Sequence, residues 1–246
     1  MTAGPPREAG GLRRAVARRF SREEATGLSL TVGFLACALL VALFGLLARE
    51  IAVSGAGPLD RGVTLWSRGL PLPGGAAAAR AITLLGDSLF VYPMTFLVAG
   101  LLAWRGRRVS AILFAASVVG GGLLEVLLKL VYARPRPDFV EPLVRVTSWS
   151  FPSGHATLAT AFFGGLAAVV FHVTRRRAVR ATAVASAALA AGSVSLSRVY
   201  LGVHWLTDVA AGALVGLFWV VVCATLTEVF ARRSPSLASR ESRASG

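Results

Sequence analysis

A histidine and an aspartate lie one helical turn apart in the C-terminal half of the chain. His204 and Asp208 are separated by four residues, so in a helix both side chains would project from one face. A carboxylate in that position can hold the tautomer of an imidazole and stabilise its cation, as it does in Ser-His-Asp sites. Asp208 falls in an apolar stretch, where an unpaired carboxylate is costly, so His204 is its expected partner.

A second histidine follows a Pro-Ser-Gly sequence at residues 152–154. Ser153 is predicted to be the N-cap of a helix, and Gly154 would let the backbone approach a ligand closely. The first N–H groups of a helix lack internal partners and the helix dipole favours an anion there, so a phosphate group fits this helix end. His155 would stand beside that anion, although an ordinary capped helix would show the same four residues.

Three cations accompany these two segments. Lys129, the only lysine of the chain, precedes Arg136 by seven residues, and Arg198 precedes His204 by six. One such cation alone commonly does no more than extend to the membrane interface. Phosphoryl transfer, however, requires that the charge on three equatorial oxygens be neutralised, and three fixed cations can do this together. Their convergence near the histidines therefore predicts a phosphate site.

Two acidic residues have more than one interpretation. Glu125 precedes Lys129 by four residues, and this spacing fits an ion pair as well as a contact with a neighbouring helix. Asp87 could support the site or cap a helix, and we favour the cap. Four further acidic residues show no paired-carboxylate spacing of the kind that holds a metal ion, so we predict neither a metal nor a cofactor. They are Glu50, Asp60, Asp138 and Glu141.

The composition shows which elements must position these side chains. Of the 246 residues, 55% are hydrophobic and 15% are charged, and the mean hydropathy is +0.66. A bilayer core of about 30 Å is crossed by about 20 apolar residues of helix. Six stretches approach that length: residues 28–47, 81–104, 109–131, 154–173, 181–196 and 205–229. We therefore predict an all-α bundle of six transmembrane helices at 28–230, between a basic tail at 1–27 and a disordered tail at 231–246.

The net charge of +14 indicates the orientation of that bundle. Nucleic-acid-binding proteins interleave their cations with polar and aromatic groups, whereas the arginines here cluster between apolar stretches, so we expect membrane lipids and no nucleic acid as partners. Seventeen of the 26 basic residues fall on one side of the six stretches. The positive-inside rule places that side and both termini in the cytoplasm. The candidate segments then meet at the opposite, extracytoplasmic face.

The three segments together resemble the three-part signature of the type 2 phosphatidic acid phosphatase (PAP2) superfamily. Every signature position is matched, in the expected order, and the six apolar stretches extend the resemblance beyond the motifs. The segments are Lys129-x6-Arg136-Pro137, Pro152-Ser153-Gly154-His155 and Ser197-Arg198-x5-His204-x3-Asp208.

This resemblance implies a role for each matched residue. The nucleophile would be His204, oriented by Asp208, and the general acid would be His155. The Ser153 side chain and the N–H of Gly154 would complete a phosphate cradle. The cations that bind the phosphoryl oxygens would be Lys129, Arg136 and Arg198.

The resemblance also implies a function. We expect a metal-independent membrane phosphatase that acts through a phosphohistidine, in a bacterial inner or plasma membrane, with its site on the periplasmic or extracellular face. The expected substrate is a lipid phosphate or diphosphate, such as phosphatidic acid, phosphatidylglycerol phosphate or undecaprenyl diphosphate. A phosphotransferase using the same site, and a catalytically silent lipid-phosphate binder or transporter, remain alternatives. The sequence leaves the preferred lipid and the oligomeric state open.

Overall fold

The computed structural model describes residues 22–70, 72–138 and 141–233, with side chains from 27 to 230. These residues form eight α-helices, and a short 3-10 turn, Leu84–Gly86, follows the third. The helices are α1 Arg22–Ser54, α2 Pro58–Gly69, α3 Gly75–Thr83, α4 Ser88–Trp104, α5 Arg108–Tyr132, α6 Gly154–Val173, α7 Arg177–Tyr200 and α8 Leu206–Arg233. Most of the two predicted tails, 1–27 and 231–246, lies outside the described residues. The prediction of an all-α membrane bundle is confirmed.

Five of the described helices are long and apolar enough to cross a membrane: α1, α5, α6, α7 and α8. A sixth span results if α3 with its 3-10 turn and α4, which are bent by 43° relative to each other, are counted as one. Four of the five long helices contain or match the apolar stretch that predicts them, and α8 begins one residue after the start of its stretch, at Leu206. The fifth stretch, predicted at 181–196, is part of a helix of 24 residues because flanking polar residues continue the hydrogen-bonded turns.

The second predicted span is interrupted at Asp87 and not at Pro93. Asp87 has an extended backbone, and its side chain accepts a hydrogen bond from the N–H of Leu89 at 2.8 Å, which begins α4 anew. Pro93 lies within α4 without ending it. The favoured interpretation of Asp87 as a helix cap is therefore correct, and the cap produces the bend.

Helix α6 packs against α5, α7 and α8, while α1 packs against α8. Small residues permit the close approach of α8 to the start of α6. A Cβ atom on Gly212 would lie 2.5 Å from the carbonyl oxygen of Ser153, and one on Gly216 would lie 2.6 Å from that of Thr157. The stripe of small residues that continues from Asp208 along α8 thus holds two polar helix ends together.

Helix α2 has an inverted pattern, with polar side chains buried and large apolar side chains exposed. Its buried residues are Asp60, Thr64 and Ser67, and its exposed apolar residues are Leu59, Leu65 and Trp66. An outward apolar face is favourable at the boundary between head groups and acyl chains, where interfacial helices lie. The helix packs against α7 and α8, and this contact carries Asp60 inward.

Candidate active site

The candidate residues meet at one end of the bundle. The C-terminal ends of α5 and α7 and the N-terminal ends of α6 and α8 lie there, together with the loop residues 133–138, 141–153 and 201–205. The arginine-rich turns at 105–108 and 175–180 lie at the other ends of these helices. All three sequence segments therefore contribute to one site.

His204 and Asp208 are brought together, but not by a shared helix. His204 lies in the turn before α8, and its Nδ1 atom is 3.4 Å from Oδ2 of Asp208. The same Oδ2 accepts the backbone N–H of Trp205 at 2.9 Å, so Asp208 also caps the start of α8. Both side chains are buried. The four-residue spacing predicts the contact correctly, while the geometry that produces it is a cap.

Two further side chains bind Asp208 that the sequence did not indicate. Arg134 donates from Nη1 to Oδ1 at 2.5 Å, and the hydroxyl of Ser150 donates to Oδ2. Arg134 precedes the signature residue Arg136 by two positions and is not itself part of the signature. Ser150 lies in the loop before α6 and has no signal in the sequence. With these donors the Asp208 carboxylate is fixed in orientation.

Arg134 is itself held by α2. Its Nη2 atom lies 2.8 Å from Oδ2 of Asp60 and 2.7 Å from the carbonyl oxygen of Gly55. Thr207 joins the group, because its hydroxyl accepts from Arg134 at 2.8 Å and donates to Asp60 at 2.7 Å. The sequence alone marks Asp60 only as an acidic residue without metal-ligand spacing. In the structure Asp60 and Asp208 both form an ion pair with the guanidinium of Arg134.

Arg136 contacts the other side of the His204 ring. Its Nη1 atom lies 3.0 Å from Nε2 of His204 and 2.5 Å from the carbonyl oxygen of Val203. A guanidinium can only donate, so Nε2 must accept, which leaves the ring proton on Nδ1 toward Asp208. The lone pair of Nε2 therefore lies on the side of the ring opposite Asp208.

The electrostatic surroundings keep this imidazole neutral. Burial lowers the pKa of His204 to about 4, the hydrogen bond and charge of Asp208 oppose this shift, and the charges of Arg136 and Arg198 add to it. At neutral pH the ring is uncharged, which is the form that can attack an electrophile.

Two buried polar atoms near His204 have no hydrogen-bond partner among the described residues. Ser153 occupies the N-cap position of α6, but its hydroxyl makes no capping bond and is unsatisfied. Arg198 donates from Nη1 to Thr83 at 3.0 Å, while its Nε is unsatisfied. A buried polar group without a partner costs about 1–3 kcal/mol, so two of them at the end of the bundle where α6 begins and α7 ends indicate a site for an anion.

Lys129 and Glu125 form the ion pair that their spacing predicts, with Nζ 2.5 Å from Oε1. The alternative, a contact with a neighbouring helix, holds as well: a Cβ on Gly154 would lie 2.9 Å from Oε1 of Glu125. Gly154 thus admits the carboxylate against the first turn of α6. Glu125 reduces the positive charge that this corner of the site offers to a phosphate.

His155 is more accessible than His204. Its Nε2 atom lies 3.5 Å from Oδ2 of Asp87, so Asp87 both caps α4 and faces this imidazole. The His155 side chain is 23% exposed, whereas that of His204 is 2% exposed. The two histidines therefore differ in environment: one is fixed and buried, and the other can exchange a proton with a ligand or water.

Comparison with known proteins identifies the family of this chain. The model of the PAP2 superfamily matches residues 110–232. Phosphatidylglycerophosphatase B of Bacillus subtilis is 37% identical over 138 residues, which cover 55% of this chain and 67% of the relative. Decaprenylphosphoryl-5-phosphoribose phosphatase of Mycobacterium tuberculosis is 32% identical over 147 residues, or 58% and 76% of the two chains.

A solved structure shares the architecture. The crystal structure of a transmembrane PAP2-type phosphatidylglycerolphosphate phosphatase from Bacillus subtilis superposes with a TM-score of 0.67 at 29% identity, covering 76% of this chain and 93% of that one. The resemblance of the three motifs is thereby confirmed. With its matched sequence, its fold and its spanning helices, the chain is an integral membrane protein that belongs to the PAP2 superfamily.

Proposed function

We propose that this protein hydrolyses a phosphate monoester or diphosphate on a membrane lipid through a phosphohistidine intermediate. The observation that carries the proposal is a pair of unsatisfied buried donors, Ser153 Oγ and Arg198 Nε, at the same end of the bundle as a neutral, oriented His204. A phosphoryl group at that place would receive both donors while its phosphorus atom faced Nε2 of His204.

The first chemical step forms one bond and breaks one. Nε2 of His204 attacks phosphorus, the bond to the lipid oxygen breaks, and His155 gives its proton to that oxygen. Asp208 stabilises the positive charge that develops on the His204 ring. Lys129 and Arg198 offset the charge on the phosphoryl oxygens.

The second step reverses these roles. His155, now neutral, takes a proton from a water molecule that attacks phosphorus, the bond between nitrogen and phosphorus breaks, and inorganic phosphate is released. His204 and His155 return to their starting protonation states.

Metal independence is a further part of the proposal. Within residues 22–70, 72–138 and 141–233 no cluster of three or more His, Cys, Asp or Glu side chains could hold a metal ion, and fixed cations are available for its electrostatic role.

A lipid substrate is supported by the surroundings of the site. A cavity of about 450 Å³ opens beside Arg134, Arg136 and Trp205, and its other walls include the apolar Ile51 of α1 and Val131 of α5. This cavity adjoins the site at Arg136 but is not lined by His204, Ser153 or Arg198, so it would receive the part of the lipid beyond the phosphate. Relatives named for a glycerolipid and for a decaprenyl substrate support the same class. The candidates are phosphatidic acid, phosphatidylglycerol phosphate and undecaprenyl diphosphate types.

We also propose that both termini lie in the cytoplasm of a bacterial inner or plasma membrane and that the site faces the periplasm or the exterior. The arginine-rich turns at 105–108 and 175–180, at the end opposite the site, support this orientation. Cysteine variants at Ser148 and Arg107, in a protein with Cys37 and Cys223 replaced, test it. An impermeant maleimide should label intact cells at position 148 and only opened cells at position 107; the reverse pattern would contradict the orientation.

Phosphate release by the purified protein tests the reaction. The protein in mixed micelles is given each candidate lipid in excess EDTA, with and without a glycerol acceptor. Released phosphate in EDTA is expected. A strict requirement for Mg²⁺ would refute metal independence, phosphorylated glycerol as the main product would indicate a phosphotransferase, and absence of turnover on every lipid would favour a silent binder.

A further inference from the structure

Four buried side chains form a line of alternating charge that leads from α2 to the proposed nucleophile. Asp60, Arg134, Asp208 and His204 follow one another, and each is at most 4% exposed. The ionic contacts measure 2.8 Å from Asp60 to Arg134 and 2.5 Å from Arg134 to Asp208, and the contact from Asp208 to His204 measures 3.4 Å. The line begins outside the segment that the family model matches, residues 110–232.

Asp60 matters because it changes the net charge of the group of side chains next to His204. Arg134 and Asp208 alone would be a neutral pair, and a neutral pair offers little stabilisation to a positive charge on His204. Asp60 adds a second carboxylate to the same guanidinium, so the group of three keeps one net negative charge next to the ring. In a site shielded from water, such a charge acts strongly on a cation that develops during the reaction.

The hydrogen bonds of Arg134 also fix its direction. Nη2 is occupied by Asp60 and the carbonyl oxygen of Gly55, and Nη1 is occupied by Asp208 and Thr207. Asp60 is fixed in turn, because its Oδ1 accepts the N–H of Thr207 at 2.9 Å. The guanidinium therefore presents Nη1 to Oδ1 of Asp208 and leaves Oδ2 facing His204.

We propose that Asp60 is a positioning residue for the nucleophile: through Arg134 it orients Asp208 and preserves the negative charge that holds the His204 proton on Nδ1. This inference rests on the proposed function. Asp60 touches neither substrate nor reacting atoms, so its loss should reduce the rate of the chemical step and leave substrate binding unchanged.

The test compares Asp60→Asn with wild type in two measurements. In phosphate release from phosphatidic acid micelles, kcat should fall about 10- to 100-fold, as is typical when a partner that orients a site ligand is removed, with KM unchanged. In ¹⁵N NMR of histidine-labelled protein at pH 7, the His204 ring should change from a fixed Nδ1–H tautomer to a mixture. His155→Asn and His172→Asn assign the three histidine signals.

Ser67→Ala is the matched control. Ser67 is buried on the same face of α2, but its hydroxyl donates to Thr64 O within that helix and not to the charged line. The Ser67→Ala substitution should leave kcat and the His204 tautomer unchanged.

Thr207→Val is the second variant, because it removes the hydroxyl that bridges Arg134 and Asp60 and leaves every charge in place. If Asp60→Asn does not fold, Thr207→Val should still lower kcat and disturb the tautomer.

The outcomes separate this inference from the proposed function. A wild-type protein that releases no phosphate would contradict the proposed function, while a His204 tautomer that depends on Asp60 would still support the inference. An unchanged His204 tautomer and an unchanged kcat in folded Asp60→Asn would overturn the inference about Asp60. So would equal losses in Asp60→Asn and Ser67→Ala, because they would assign the effect to the packing of α2.

Discussion

The Nη1 atom of Arg136 lies 3.0 Å from the Nε2 atom of His204. In the proposed reaction Nε2 attacks phosphorus, so the guanidinium and the phosphorus atom compete for the same position. Substrate binding would therefore exchange this hydrogen bond for bonds to phosphoryl oxygens. The exchange uncovers the nucleophile at the moment when the cation acquires an anion to bind.

Replacing His204 by Gln should abolish turnover without unfolding the protein. Gln retains polar atoms of similar reach but cannot form a phosphohistidine, so kcat should fall by about 10⁴-fold or more, as happens when a catalytic triad loses a member. Phosphate release and acid-labile ³²P labelling measure the change. Retained binding of inorganic phosphate serves as the folding control, and normal turnover would exclude His204 as the nucleophile.

The activity should be lost at acidic pH with an apparent pKa near 4. The pKa of His204 is lowered to about 4, and the nucleophile must be neutral, so kcat/KM should decrease as the pH falls through that value. A separate decrease is expected at higher pH, where the general acid His155 loses its proton. A pH profile on soluble short-chain lipid phosphate measures this limb. A half-maximal point near 6.5, the ordinary histidine value, would show that burial does not govern this ring.

Glu125→Gln should tighten phosphate binding and slow catalysis. The change removes a negative charge next to the proposed cradle, so inorganic phosphate should inhibit at several-fold lower concentration, while kcat should fall about tenfold because Lys129 loses its 2.5 Å partner. Glu141→Gln, the same change in an exposed loop, is the control. Unchanged inhibition and kcat in Glu125→Gln would remove Glu125 from the site.

Asp87→Asn separates the two contacts of Asp87. Asn can still cap α4, but it no longer offers a charge to His155. Turnover of an alkyl phosphate, which needs a proton on its leaving oxygen, should fall about tenfold, whereas turnover of p-nitrophenyl phosphate should change little. Asp87→Ala, which also loses the cap, should lower thermal stability as well. Equal losses on both substrates would argue against a role through His155.

Gly212→Ala should destabilise the protein and lower its activity. The added Cβ would lie 2.5 Å from the carbonyl oxygen of Ser153, so α8 must move away from α6 at a cost of about 1–3 kcal/mol. Gly192→Ala, on α7 with no atom within 4 Å of the new Cβ, should be neutral or slightly stabilising. Thermal unfolding in detergent compares the two. Similar melting temperatures would show that the interface yields easily.

The sequence predicts those parts of the site that depend on short spacings. His204 and Asp208 are four positions apart, and Lys129 and Glu125 are as well, so local geometry alone brings each pair together. The span prediction succeeds for a similar reason, because the length and hydropathy of a segment decide whether it can cross a membrane.

Contacts between residues that are distant in the sequence cannot be predicted from short spacings or from hydropathy. Asp60 and Arg134 are 74 positions apart, as are Arg134 and Asp208, and nothing in the local pattern around Asp60 or Arg134 distinguishes these two residues from interfacial charges. The bend at Asp87 is a separate case, because the sequence predicts the cap but not the break in the span that the cap produces. A hydropathy average treats an aspartate as a flaw in a span, whereas its capping bond starts a new helix.

The N–H of Ser153 donates to the carbonyl oxygen of Asp208 at 3.0 Å, directly beside the close contact made by Gly212. The start of α6 and the start of α8 are thus bound to each other by their main chains, and Gly212 leaves the space that this contact needs. Little of α1 or α7 is buried, so their outward surfaces have no such constraint. Substitutions that adapt the protein to lipids of different length or branching can therefore occur on the lipid-facing helices, while the geometry of the reaction centre is unchanged.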